Sequence, residues 1–528
     1  MRNRAMILPA LLLAAFAINL DTTIVNVALP TLVRELHSSN SQLQWIVDAY
    51  NLVFAASLLV AGSLSDRFGR KGMLLSGLAL FGAASAAGGL MTSSGGLIAA
   101  RAVMGLGAAM VFPATLSLIS NIFVERTERA RAIGLWGATA GIAIALGPIA
   151  GGWLLERFSW SSIFFAMTPV AALAALLVAR AVPTSRDERA PRLDQPGFLL
   201  SSAAMAALIY TIIEAPLHGW SSTRTLVGFA LAAALLAGFI VRERTTDEPM
   251  LDVRLFTNPR FTAASGSVTV AFFSLFGFIF LMTQYFQFIK RYGPLSTGVH
   301  LLPVAVSVGV ASVLGTRLAV RFGTKLVVAS GLAMVAAFYA WVAAVVAPGT
   351  QYATIAAQMV LYGVGMGLTS APATEAIMGV VPRAKAGVGS AVNDTTRLLG
   401  GTLGVAVIGS VYASLYSSRL SEHLPERVPA GLAAVAHNSV GAALGVARGL
   451  AATGHQALGG GVARAASGAF IDGLSLGCVV AGGVALLGAV AAAALLPAFP
   501  SASAEPAPAP LPSAPAPAPA GDVAHSYR

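Results

Sequence analysis

The sequence predicts an all-α polytopic membrane protein, and three observations predict it. Of 528 residues, 56% are hydrophobic and only 10% charged, whereas a soluble domain carries about 25% charged residues. The mean hydropathy is +0.77. Apolar runs long enough for a helix to cross about 30 Å of hydrocarbon recur along the chain, with charged turns between them.

Fourteen such runs lie near residues 7–31, 44–64, 73–92, 97–122, 132–155, 161–182 and 195–214, then 224–241, 261–289, 297–318, 325–346, 353–378, 390–412 and 469–496. The first passes Asp21 and reaches Leu29. A signal-peptide core is only about 7–15 residues long, so this run is expected to be an uncleaved first span. Sidedness follows from positive charge, which favours cytoplasmic loops. With the N-terminus inside, 22 of the 33 Lys and Arg residues fall in inner segments, nine in outer segments, and Arg101 and Arg397 within spans. Both termini are therefore expected in the cytoplasm of a multi-pass cell-membrane protein. The net charge of +11 sits in inter-span loops, so it reads as orientation and not as nucleic-acid binding. The single cysteine, Cys478, cannot form an internal disulfide, and the seven His residues show no metal-ligand spacing.

An internal repeat runs through the chain. RFGRK at 67–71 recurs as RFGTK at 321–325, and Pro113-Ala114-Thr115 recurs as Pro372-Ala373-Thr374. The expected organisation is a six-span half over 1–182, two inserted spans and linkers over 183–260, and a second six-span half over 261–496. A long outer loop at 413–468, with the composition of a short helix pair, interrupts the second half. From 497 to 528 the chain alternates Ala and Pro and is expected to form no packed core. Duplicated halves of this kind place substrate near the midplane between them.

The motifs that carry chemistry are charges and glycines in unusual places. The run GSLSDRFGRK holds Gly62, Asp66, Arg67, Gly69, Arg70 and Lys71 between two spans. Its basic excess marks a cytoplasmic turn, and its glycines remove bulk where the chain reverses. Inside spans, an ionisable group costs at least about 2.5–3.5 kcal/mol to insert, so each one needs a reason. Asp21, in LDTTIVNVALP, lies about 21 Å along the first span from Ile7, with Thr22, Thr23 and Asn26 nearby. It is either a proton or substrate site, or an acid held by neighbouring helices. Arg101 opens the fourth span at a depth near that of Asp21. A guanidinium there either tunes that carboxylate or snorkels to the interface. The fifth span carries Gly137, Gly141, Gly147, Pro148, Gly151 and Gly152. Small residues at this spacing let helices approach closely, and Gly147-Pro148 invites a bend. Glu375 and Asp394 lie toward the cytoplasmic side of the twelfth and thirteenth spans, Asp394 with Arg397 three residues on and able to neutralise it. Asp48 and Glu214 fall near outer span ends, where an interfacial position explains them.

The GSLSDRFGRK run resembles the signature loop of the major facilitator superfamily. LDTTIVNVALP resembles the first-span signature of its fourteen-span drug:proton antiporters, the EmrB/QacA type. The fourth span resembles a motif whose arginine is implicated in proton coupling, and the fifth resembles the antiporter motif found in exporters. The resemblance covers about residues 15–412 and implies the major facilitator fold, two six-helix halves plus two inserted helices. It also implies proton-coupled efflux of amphipathic, cationic drugs, with coupling at Asp21, Arg101, Glu375 and Asp394. The expected partners are a small organic substrate, protons and the lipid bilayer, with no nucleic acid, no cofactor, no metal, and a monomeric state. A dedicated exporter of one endogenous metabolite or antibiotic is the alternative, ahead of a non-transport membrane protein. A lipid-directed enzyme would need a nucleophile–base pair or metal cluster at a span end; neither occurs in the sequence, so no enzymatic activity is expected.

Overall fold

The computed structural model describes residues 4–123, 125–184, 194–246, 253–380 and 386–498. The described residues are helical and connecting segments without strand, as expected for an all-α membrane protein. The first six helices are α1 (Arg4–Glu35), α2 (Asn40–Phe68), α3 (Arg70–Gly89), α4 (Ser94–Ile122), α5 (Arg126–Arg157) and α6 (Ser161–Ala181). Two more follow, α7 (Gln195–His218) and α8 (Thr223–Thr245). Then come α9 (Pro259–Gln284), α10 (Pro294–His300), α11 (Leu302–Phe322), α12 (Thr324–Val345), α13 (Tyr352–Val380) and α14 (Ala386–His423). The chain closes with α15 (Ala430–Asn438), α16 (Val440–Ala452) and α17 (Gln456–Leu495). The expected spans fall on α1 to α9, α11 to α14 and α17, the tenth being shared between α10 and α11. Among the described residues, eleven helical segments are long and apolar enough to cross a membrane by length and composition.

Local chemistry sets the helix ends. Ser39 and Gln42 form a capping box at the start of α2, which satisfies backbone donors that the first turn leaves free. Asp194, Ser222 and Asn258 cap α7, α8 and α9 with their side chains. The expected tenth span divides at Leu301 into α10 and α11, because Pro303 has no N–H to continue the ladder. A single π turn at Tyr285–Ile289 ends α9.

Packing repeats along the chain. In the first part, α1 packs on α5 and α6, α2 on α4, and α3 on α4 and α6. In the second, α9 packs on α14 and α17, α11 on α13, and α12 on α13 and α17. The same scheme thus recurs with α1, α2, α3, α4, α5 and α6 answered by α9, α11, α12, α13, α14 and α17. The two sets meet where α2 packs on α14 and α5 on α10. The inserted α7 and α8 pack on each other, with α7 also against α2 and α14.

Two segments differ from expectation. The charged run at 62–71 is almost wholly helical: α2 continues through Phe68, and α3 starts at Arg70. Gly69 alone reverses the chain at φ 112°, and Gly323 does so in the repeat at φ 90°, a backbone region that only glycine enters without strain. The 413–468 segment is less a loop than a helical cap. The α14 helix extends to His423 and α17 begins at Gln456, with α15 and α16 between them. Gly441 of α16 sits between Val33 of α1 and Phe288 of the π turn, so the cap covers one end of the bundle where the two sets meet. The Ala/Pro tail from 499 lies outside the described residues.

Candidate functional site: a buried ion pair in the first helical set

Asp21 and Arg101 come together across α1 and α4. Arg101 Nη1 donates to Asp21 Oδ2 at 2.5 Å, with both side chains 1% exposed. The guanidinium is further held by its Nε, which donates to the Ile46 carbonyl at 3.0 Å. It also lies 4.2 Å from the centroid of the Tyr50 ring, and Tyr50 in turn donates its hydroxyl to the Ile18 carbonyl at 3.3 Å. The arginine is therefore fixed on three sides and does not snorkel. The second oxygen of Asp21, Oδ1, has no hydrogen-bond partner among the described residues. The carboxylate thus keeps an acceptor site for a proton or a donor group while its other oxygen stays paired. Of the neighbouring polar residues, Thr22 donates to Asn19 O and Asn26 to Thr22 O within α1. Thr23 reaches α5, donating to Ala143 O at 3.1 Å.

The glycines of α5 explain how it lies against both sets. A side chain at Gly147 would collide with Thr23, and one at Gly151 with Ile24, so α5 and α1 touch backbone to side chain. On its other face, Gly152 meets Pro294 and Leu295, and the Pro148 carbonyl presses on Gly298. The surroundings of Gly137 and Gly141 lie outside the described residues. Glu156 Oε1 accepts from Leu295 N at 3.2 Å beyond the end of this contact. Two further side chains join the sets near the same end. Gln287 Nε2 donates to Val27 O at 2.9 Å, and Gln44 Nε2 lies within 3.2 Å of Val405 O, Ala406 O and Ser410 Oγ.

At the opposite end stands the charged run. Gly62 faces Pro113 of α4 at ordinary contact distance. Arg67 is exposed beside Phe68, and Arg70 is buried. Lys71 Nζ donates to the Ala179 carbonyl at 2.8 Å, where it caps the last turn of α6 with positive charge. The side chain of Asp66 lies outside the described residues.

The second set carries a neutral counterpart and a separate polar cluster. Where α1 and α4 hold an ion pair, Ser274 of α9 bonds the hydroxyls of Tyr339 and Tyr362 at 3.2 and 3.1 Å. The two repeated threonines both bind the next long helix. Trp136 of α5 donates to Thr115 at 3.0 Å, and Thr374 donates to Asn393 of α14 at 3.0 Å. Arg397 donates to Thr374 at 3.1 Å and approaches Asp394 at 4.0 Å, so this acid shares its arginine with a hydroxyl. Glu375 stays outside the cluster and is exposed, and Arg260 of α9 reaches the same end of α13 at Gly379.

Asp48 is the residue that the sequence reading misplaced. It is not interfacial but 0% exposed, and neither carboxylate oxygen has a partner among the described residues. Gln44 one turn earlier bonds α14, and Leu52 one turn later shares a buried apolar cluster with Ala406 of α14, so Asp48 sits on the face of α2 that meets the second set. The signal was present in the sequence: Gln44, Asp48 and Asn51 recur at i, i+4 and i+7, a polar stripe on one helix face.

A twice-repeated helix-packing scheme, with a buried ion pair inside the first set and two further helices beside both, is the frame in which the chain's relatives can be compared. Residues 11–405 match the family model described as Major Facilitator Superfamily. The chain is 37% identical over 410 residues to the Multidrug resistance protein Stp of Mycobacterium tuberculosis, covering 78% of this chain and 76% of that one. It is 35% identical to the Multidrug efflux pump LfrA of Mycolicibacterium smegmatis, covering 77% and 79%. Among solved structures it resembles a bacterial homolog of the human lysosomal transporter Spinster in an inward-facing and unoccupied conformation. The TM-score is 0.64 at 17% identity, over 93% of this chain and 97% of that one. The chain belongs to the Major Facilitator Superfamily.

Proposed function

We propose that the protein is a proton-coupled exporter of amphipathic, cationic organic compounds, of the fourteen-span drug:proton antiporter type. It would act as a monomer in the cell membrane, with both termini in the cytoplasm. The observation that carries this reading is the buried Asp21–Arg101 pair with the unpartnered Asp21 Oδ1. The names of the relatives support efflux, and the matched family supports a transporter and not an enzyme. With the termini inside, the contacts of Gln44, Gln287, Glu156 and Gly152 all lie at the outer end, so this is an inward-facing arrangement sealed on the outside. Asp66, Arg67, Arg70 and Lys71 then belong to the cytoplasmic gate, which would close as the two sets rock. Asp21 exchanges its proton or the substrate against Arg101. Asp394 and Glu375 lie toward the cytoplasmic entrance, where negative charge draws cations. A proton drives the cycle only if its affinity differs between the two states, and that condition would be met if the contact of Asp21 with Arg101, carried on a different helix, loosens in one of them.

The test is reconstitution of purified protein into vesicles with an imposed pH gradient. Asp21→Asn is expected to abolish gradient-driven efflux of a lipophilic cation while the protein inserts normally. Drug-driven proton movement at the parental rate in Asp21→Asn would overturn the assignment.

A further inference from the structure

A cavity of about 540 Å³ opens between α2 and the inserted helices α7 and α8, away from the buried ion pair. Its inner wall is apolar, with Leu52, Ala206, Val227 and Leu231. Val227 is 60% and Leu231 53% exposed, a surface for hydrocarbon and not for water. The mouth, near the α7–α8 turn, carries both signs of charge. Glu214 has His218 at 3.7 Å as its ion contact, while Arg224 donates to the Tyr210 hydroxyl at 2.7 Å. The carboxylate and the guanidinium line one cavity, yet among the described residues they are not paired with each other. Trp45 and Tyr210, with ring centroids 6.2 Å apart, form an aromatic wall beside them.

We propose that this cavity binds an amino-phospholipid from the leaflet on the side of the α7–α8 turn. The headgroup ammonium sits at Glu214 against the Trp45–Tyr210 wall, the phosphate at Arg224, and one acyl chain along Leu52, Val227 and Leu231. The charges select this class. A lipophilic cation entering toward Glu214 meets Arg224, and an anionic lipid entering toward Arg224 meets Glu214. A zwitterion satisfies both. A primary ammonium also donates hydrogen bonds to a carboxylate, which a quaternary headgroup cannot do. Aromatic rings at the headgroup level suit the same depth. The inserted pair, which lies outside the duplicated packing scheme, would thus be joined to α2 partly through lipid. This inference rests on the membrane-spanning fold and is independent of proton exchange at Asp21.

The test uses full-length protein purified in detergent and stripped of lipid, with unfolding temperature followed against added phosphatidylethanolamine, phosphatidylglycerol or tetraphenylphosphonium. Saturable stabilisation by phosphatidylethanolamine is expected, with apparent affinity about tenfold weaker in Glu214→Gln and in Arg224→Gln, since each removes one charge-assisted contact. Should a charge variant fail to fold, Ala206→Phe fills the apolar wall instead. In protein purified without stripping, native mass spectrometry is expected to show phosphatidylethanolamine bound to the parental chain and lost from this variant. Equal stabilisation by phosphatidylglycerol, or undiminished phosphatidylethanolamine binding in these variants, would overturn the proposal. So would saturable tetraphenylphosphonium binding that Arg224→Gln strengthens, which would make the cavity a cation site.

Discussion

Asp21 and Arg101 form the one contact on which the functional reading turns, and its energetics are those of any buried ion pair. Desolvation is offset only while both charges are present, so removing one partner costs about 3–5 kcal/mol. Arg101→Ala is therefore expected to lower the unfolding temperature sharply. The double variant Arg101→Ala with Asp21→Asn should recover part of that loss, and differential scanning fluorimetry measures both. Full additivity would mean that the pair is not energetically coupled. Asp48 behaves differently, because nothing in the described structure pairs with it. A buried, unpartnered carboxylate costs more than an amide of the same shape. Asp48→Asn should thus leave the unfolding temperature unchanged or raise it, and a fall would reveal a missing partner. Asp21 and Arg101 were legible in the sequence because charge is rare in apolar runs. Asp48 was misread because its distance from the span end was counted while its helix face was ignored.

At the scale of elements, helix identity came from apolar run length, so the expected spans fall on helices, with the tenth divided between α10 and α11. What the runs could not convey was how little chain a turn requires. Gly69 and Gly323 reverse direction in one residue each, which turns an expected ten-residue loop into two nearly continuous helices. Adding a Cβ at such a positive φ costs roughly 1–2 kcal/mol. Gly69→Ala should lower stability by about that amount, measured by denaturant unfolding in mixed micelles, and an unchanged midpoint would mean that the turn can relax. The short helix pair expected within 413–468 is present as α15 and α16, but its docking as a cap was not legible, for a related reason. Its Ala- and Gly-rich composition fits either a loop or a helix until α1 and the π turn provide a surface to cover.

For the whole molecule, the question is which end of the bundle is sealed. Gln44, Gln287 and Glu156 reach between the two sets, and interhelical hydrogen bonds in lipid contribute about 0.6–2 kcal/mol each. Conformational equilibria of this kind are separated by only a few kcal/mol. Gln44→Leu combined with Gln287→Leu should therefore shift the population toward an opened seal. Spin labels at the starts of α2 and α11 are expected to move apart in pulsed dipolar measurements, and unchanged distances would show that close glycine packing alone holds the seal.

By itself the sequence determined that the chain is a helical membrane protein with an internal repeat, because apolar length and loop charge are local quantities that the bilayer reads directly. It also singled out Asp21, Arg101 and the glycines of α5, whose cost or smallness in lipid is intrinsic to the residue. Only the tertiary structure decided which of these meet. That Asp21 pairs with Arg101, that Asp394 shares Arg397 with Thr374, that Asp48 is buried, and that Gly152 faces α10 and not α1 all depend on helix rotation and on contacts between residues tens to hundreds of positions apart. Helix rotation is set by the sum of many small packing terms across the bundle, and no single segment of the sequence contains that sum.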